Sequence, residues 1–157
     1  PDGKYKLYQE NGQVFAARAD GSEAKALTPE LSGAHYTWAW SPDNQTVAIN
    51  VKGSQNQGVW LAEVSGDSWS LVTANGGGTS LSWSPDGKKL AFTDAKNMIY
   101  VGVLDDLTKT NLLMVVPKGD NQGAMTLAWS PDSKQLLFDW AKEGSAERGI
   151  YMATLPE

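Results

Sequence analysis

His35 is the only histidine of the chain, cysteine is absent, and Ser-Pro-Asp recurs at 41–43, 84–86 and 130–132. A serine hydrolase needs a nucleophile, a base and an orienting acid, and many carry the nucleophile on a G-x-S-x-G elbow. That elbow is missing, so the single histidine has no marked nucleophile to serve. Without cysteine there are no disulfides, no thiolate metal sites and no cysteine catalysis. One histidine assembles no zinc cluster. Calcium loops of the D-x-[DN]-x-[DN]-G kind are missing too, and Asp105-Asp106 offers only a weak calcium contact. Gly76-Gly77-Gly78 lacks the Lys-Ser/Thr and the helix that complete a phosphate loop. No carboxylate pair singles itself out for glycoside hydrolysis. These residues predict a protein that is not an enzyme and holds no cofactor and no metal.

The Ser-Pro-Asp copies belong to a longer phrase, WSPDNQTVAI at 40–49, WSPDGKKLAF at 83–92 and WSPDSKQLLF at 129–138. A headless copy, PDGKYKLY, opens the chain. Pro-Asp therefore falls at 1, 42, 85 and 131, with spacings of 41, 43 and 46 residues. A period in the forties marks propeller blades or paired helices. Short β-branched and aromatic runs decide for blades: TVAINV, GVWLAEV, KLAFTD, MIYVGVL, NLLMVV and QLLFDW, punctuated by Gly, Asn, Asp and Pro.

The predicted fold class is all-β: about four propeller blades, each a four-stranded antiparallel meander, the first and last incomplete, forming a partial propeller. With strands lettered a to d from the axis outward, the chain opens on b, c and d of one blade. It then runs through two whole blades and ends on a, b and c, fourteen strands in all. The units span about 1–41, 42–84, 85–130 and 131–157 within one domain. Ser-Pro-Asp-Gly suits a type I turn between strands a and b, with Pro at i+1 presetting φ. Trp40, Trp83 and Trp129 supply large apolar anchors at one depth between blades. Asp43, Asp86 and Asp132 read as turn residues, because a ring holds equivalent positions far apart.

WSPDGKKLAF, together with QVFAARADGSEAKALT and NMIYVGVLDD, resembles the WD40-like PD40 repeats of TolB-like β-propellers. The resemblance covers essentially the whole chain. It implies a propeller of the kind found in periplasmic TolB, in sensor domains of bacterial surface proteins and in prolyl-oligopeptidase-like peptidases. A bacterial extracytoplasmic location, periplasmic or at the cell surface, follows from it as an expectation.

The bulk numbers agree with one domain: 157 residues, 41% hydrophobic and 20% charged. A net charge of −5 disfavours nucleic acid, whose phosphates require a basic stripe. No apolar run approaches the roughly 18 residues of a membrane span. The chain begins on Pro rather than Met, which predicts a processed or excised protein.

The a–b and c–d turns share one face and are short and repetitive. The d–a loops (TPELSGAHYTW, TANGGGTSLSW, PKGDNQGAMTLAW) and the b–c loops (VKGSQNQGVW, DAKNM, WAKEGSAERGI) share the other and differ between blades. Loops released from a repeat are where scaffolds place recognition. The candidate ligand-binding residues are therefore His35, Tyr36, Trp38, Asn56, Gln57, Asp120, Asn121, Gln122, Trp140 and Arg148. Each has a structural alternative. His35 reads more readily as a loop residue bonded to backbone, and Trp38, two residues before Trp40, as core. The amides suit either a ligand or a solvated turn, and Trp140 either stacks on a ligand or packs beneath its loop.

The expected function is a non-catalytic binding or assembly module that recognises a protein segment or a glycan. The rivals are the substrate-gating propeller of a larger prolyl-oligopeptidase-like serine peptidase, and a half-ring that self-associates. The expected partners are that ligand and either the rest of a parent chain or a second copy.

Overall fold

A computed structural model describes residues 2–53, 55–106, 109–114, 121–122, 126–142 and 148–155. They form four antiparallel sheets, with no helix among the described residues. The first sheet orders β1 (Tyr5–Glu10), β2 (Gln13–Arg18) and β3 (Lys25–Ala26). The second orders β4 (His35–Trp40), β5 (Thr46–Lys52), β6 (Gly58–Glu63) and β7 (Trp69–Thr73). The third orders β8 (Gly77–Trp83), β9 (Lys89–Asp94), β10 (Ile99–Asp106) and β11 (Lys109–Met114). The fourth contains β12 (Asn121–Gln122), β13 (Leu127–Trp129), β14 (Gln135–Lys142) and β15 (Arg148–Thr154). These are the meanders of a partial propeller, so the all-β fold class holds.

The described residues hold fifteen strand segments, because β12 and β13 divide what the sequence reads as a single strand a. β12 and β13 pair with the same edge of β14, Gln122 opposite Ala141 and Leu127 opposite Phe138. They are two pieces of one strand a, which carries two residues more than its partner between those pairs. β8 has the same excess without breaking, since Gly77 faces Asp94 and Leu81 faces Phe92. A bulge of this kind ends regular pairing locally and bends the strand. The glycine triplet belongs to this bulge. Gly77 has φ +90°, and a Cβ on Gly78 would fall on the backbone of Thr93. Only glycine permits that approach.

The core lies between the sheets. β5 is buried from Val47 to Val51, although strands alternate their side chains between two faces. Both faces are covered, so the strand shows no clean alternation of apolar and polar residues. Val47, Ile49 and Val51 pack with Val14, Ala16 and Leu27 of the first sheet. From the opposite face, Ala48 joins Val59 and Leu61 against Leu90 and Phe92 of the third. Ala91, Ile99 and Val101 then meet Leu136 and Phe138 of the fourth. Trp40, Trp83 and Trp129 each pack against one of these three clusters, in order.

The Ser-Pro-Asp turns repeat atom by atom. Ser84 Oγ donates to Asp86 Oδ1 at 2.6 Å and accepts the Lys89 N–H at 2.9 Å, while Asp86 Oδ1 accepts the Lys88 N–H at 3.0 Å. Ser41 with Asp43, and Ser130 with Asp132, make the same set. The residue after each Asp is left-handed: Asn44 at φ 61°, Gly87 at 72° and Ser133 at 60°. The headless copy keeps part of the lock, as Lys4 N–H donates to Asp2 Oδ1 at 3.0 Å. The carboxylates are thus spent within their own turns.

Candidate functional site

The loop face carries a cleft of about 630 Å³ between the segment joining β3 to β4 and the segment joining β5 to β6. Its walls are Glu30, Leu31, Ser32, Gly53, Gln55, Asn56 and Gln57. Neither segment is constrained by the repeat, and each is held from below. Leu31 N–H donates to the Gly12 carbonyl at 3.0 Å, and Tyr36 Oη donates to the same carbonyl at 2.6 Å. The Asn56 carbonyl accepts the indole N–H of Trp60 at 2.9 Å. Gln57 Nε2 reaches the Gly76 carbonyl at 3.5 Å, a long contact that leaves the exposed side chain easy to redirect.

Of the ten predicted residues, Asn56 and Gln57 line this cleft. His35 begins β4, exposed, opposite Lys52. Tyr36 and Trp38 follow it in β4 and pack with Trp40 against the cluster between the first two sheets. Burial pushes the Tyr36 phenol pKa up, against a smaller opposing hydrogen bond to Thr28. These three residues belong to a strand and not to the loop. Trp140 is also a strand residue. It pairs with Gly149, packs against the cluster between the third and fourth sheets, and meets Tyr151 edge-on at 5.4 Å. Continuous pairing of β14 with β15 extends the strand through what reads as loop sequence. Arg148 lies in β15, and Asn121 and Gln122 in β12, with side chains outside the described part. Asp120 lies outside the described residues. Among the candidates whose side chains are described, Asn56 and Gln57 share this cleft, while His35, Tyr36, Trp38 and Trp140 lie in strands.

The turn face has a second cleft, of about 570 Å³, which the sequence did not signal. Tyr5, Glu23, Lys25, Asp43, Asn44 and Glu63 are among its walls. It opens between the turns of the first two blades, where Lys25 Nζ donates to the Ser65 carbonyl at 2.7 Å. A hydrogen bond from Ser41 and one from the Gln45 N–H hold the Asp43 carboxyl below its usual range, against a smaller burial effect. That carboxylate stays ionised and committed to its turn, which does not suit a general acid. Among the described residues, no three His, Cys, Asp or Glu side chains come close enough to hold a metal ion. No helix long and apolar enough to cross a membrane is present among the described residues.

No family model and no curated protein sequence matches the chain. Solved structures do. A protein assigned as TolB from Agrobacterium tumefaciens is 23% identical, with TM-score 0.68, over 98% of this chain and 55% of that one. Oligogalacturonate lyase from Vibrio parahaemolyticus is 16% identical, with TM-score 0.69, over 99% of this chain and 47% of that one. A chain of a mitotic checkpoint complex is 20% identical, with TM-score 0.71, over 99% of this chain and 47% of that one. The chain has a TolB-like β-propeller fold. It spans about half the length of these structures. One of them is a lyase and another belongs to a multiprotein assembly, so the fold serves unrelated tasks.

Proposed function

We propose that this chain is part of a non-catalytic recognition propeller that binds an extended segment of a partner protein across its loop face. Asn56 and Gln57 hydrogen-bond the segment, Glu30 selects against acidic residues, and Leu31 offers an apolar floor. Tyr36 and Trp38 hold the platform from beneath. The observation that supports this reading is the cleft of about 630 Å³ between two segments that do not follow the repeat. Protein is favoured over glycan because a similar propeller occurs in a multiprotein complex and, among the described residues, no aromatic side chain lines this cleft. The proposed location is extracytoplasmic, by the resemblance of the repeats to TolB-like propellers.

The test is selection from a displayed peptide library in parallel with a glycan array. The expected result is a family of peptides whose binding weakens about tenfold, or roughly 1.4 kcal/mol, in Gln57→Ala and Glu30→Lys. Asp132→Asn, on the turn face, should leave it unchanged. Binders that respond only to turn-face substitutions, or glycans without peptides, would reject the reading.

A further inference from the structure

A third cleft, of about 260 Å³, opens between residues 26–29 of the first blade and Gly66, Asp67, Ser68 and Trp69 of the second. It lies beside β3 and β7, the last strands of their sheets, and shares no wall residue with the other two clefts. The repeat does not account for Trp69. Phe15, Trp60, Tyr100 and Tyr151 hold one register position on strand c. In three blades that aromatic stacks on the aromatic opposite it in strand b: Tyr8, Phe92 and Phe138. In the second blade the residue opposite is Ile49. Trp60 stacks on Trp69 of β7 instead, with centroids 4.5 Å apart and planes 3° apart.

The stack holds Trp69 still. Trp60 covers one face of its ring and is itself fixed by its indole N–H on the Asn56 carbonyl. Trp69 is partly buried against the cluster between the first two blades, and what it leaves uncovered lines the cleft. Its indole N–H has no hydrogen-bond partner among the described residues, unlike those of Trp60, Trp83 and Trp129. The exposed Asp67 carboxylate and the exposed Ser68 hydroxyl beside it have none either. A fixed aromatic surface thus adjoins an unused donor, an unused acceptor and a hydroxyl.

Those groups select the chemistry of the ligand. It must lay an apolar face on the ring, donate to the carboxylate and accept from the indole. Ammonium and guanidinium groups only donate, so they leave the indole N–H unmet. Proline brings only a carbonyl and leaves the carboxylate unmet. A nucleotide meets all three groups but carries its phosphate toward Asp67 in a chain of net charge −5. A sugar hydroxyl both donates and accepts, and the C–H groups of a pyranose supply the apolar face. The volume falls just below that of drug-sized sites, which suits one ring rather than an oligomer.

We infer that this cleft binds a single sugar residue, its ring on Trp69 and its hydroxyls bonded to Asp67, Ser68 and the Trp69 indole N–H. The probes are the methyl glycosides of glucose, galactose, mannose and N-acetylglucosamine, read by saturation-transfer NMR. At least one should bind, with a Kd of about 1 mM. Asp67→Ala should weaken it about tenfold. Trp69→Phe, which keeps a ring and removes the N–H, should weaken it about fivefold. Both should keep the wild-type far-UV spectrum, and Gln57→Ala, in the loop-face cleft, should bind as wild type does. The inference is overturned if no glycoside binds, or if Asp67→Ala or Trp69→Phe binds as well as wild type. Loss of binding in Gln57→Ala overturns it too, by placing the sugar in the other cleft. So does tetramethylammonium, a hexaproline peptide or adenosine binding at Trp69 in place of every glycoside.

Discussion

The indole N–H of Trp83 donates to the backbone carbonyl of Ala39 at 3.0 Å, across the boundary between the second and third blades. Trp129 does the same to Ser82 at 3.1 Å. Each acceptor lies one residue before the Trp of the previous repeat, so the repeats are keyed to one another by the residue that names them. Trp83→Phe keeps much of the apolar contact and removes the bond. The expected loss is about 1–2 kcal/mol in urea unfolding. A change inside the ordinary surface range of about 0.5 kcal/mol would show that the bond contributes nothing.

Asn50 is 1% exposed and joins the same two blades. Its Oδ1 accepts the Gly77 N–H at 2.6 Å, and its Nδ2 donates to Thr93 O at 3.1 Å and Gly78 O at 3.4 Å. Asn50→Asp turns the donating edge into an acceptor that faces two carbonyls and buries a charge. It should cost more than Asn50→Leu, whose own cost of about 1–3 kcal/mol reflects the unpaired groups it leaves. Chemical denaturation at neutral pH ranks the two, and the reverse order would contradict the assigned network.

Asp86 shows how acid acts on this fold. Burial pushes its carboxyl pKa up, but hydrogen bonds from Ser84 and the Lys88 N–H, with the charges of Lys89 and Lys88, outweigh it and leave the value lowered. Asp43 and Asp132 are lowered too, each chiefly by its turn serine. A lowered folded value means stability that is complete above the unfolded carboxylate pKa of about 3.9 and is lost as pH falls through the folded value. The urea midpoint should hold from pH 7 to about pH 5 and drop below pH 4. In Asp86→Asn that drop should be shallower, and an identical acid limb would exclude Asp86 as a contributor.

Asn44 occupies the left-handed position that Gly87 fills in the next repeat, and its Oδ1 is buried without a hydrogen-bond partner. Replacing it by Gly removes both the backbone cost and the unpaired oxygen. Asn44→Gly should raise stability by about 1 kcal/mol, seen as a higher urea midpoint at constant slope. A lower midpoint would mean that the amide contributes to the turn.

The fold class was legible because turn chemistry is local. Ser, Pro and Asp at fixed offsets close the same hydrogen bonds wherever they occur, and four copies about forty residues apart leave room only for repeated meanders. Trp38 was legible for a related reason, since period 2 places it beside Trp40. Trp140 was less so. Its surroundings read as loop, but pairing with Gly149 extends β14 through it, and pairing depends on a partner strand that composition does not reveal. The turn-face cleft gave no signal, because it forms between Glu23 of one repeat and Asp43 and Glu63 of the next.

The sequence by itself determined the blades, their turns and the tryptophan between each pair, because those follow from period, backbone preference and apolar size. Only the tertiary structure decided which residues share a cleft. Glu30 and Asn56 line one cleft because the packing of one sheet on the next sets the distance between their segments. No stretch of residues encodes that packing alone.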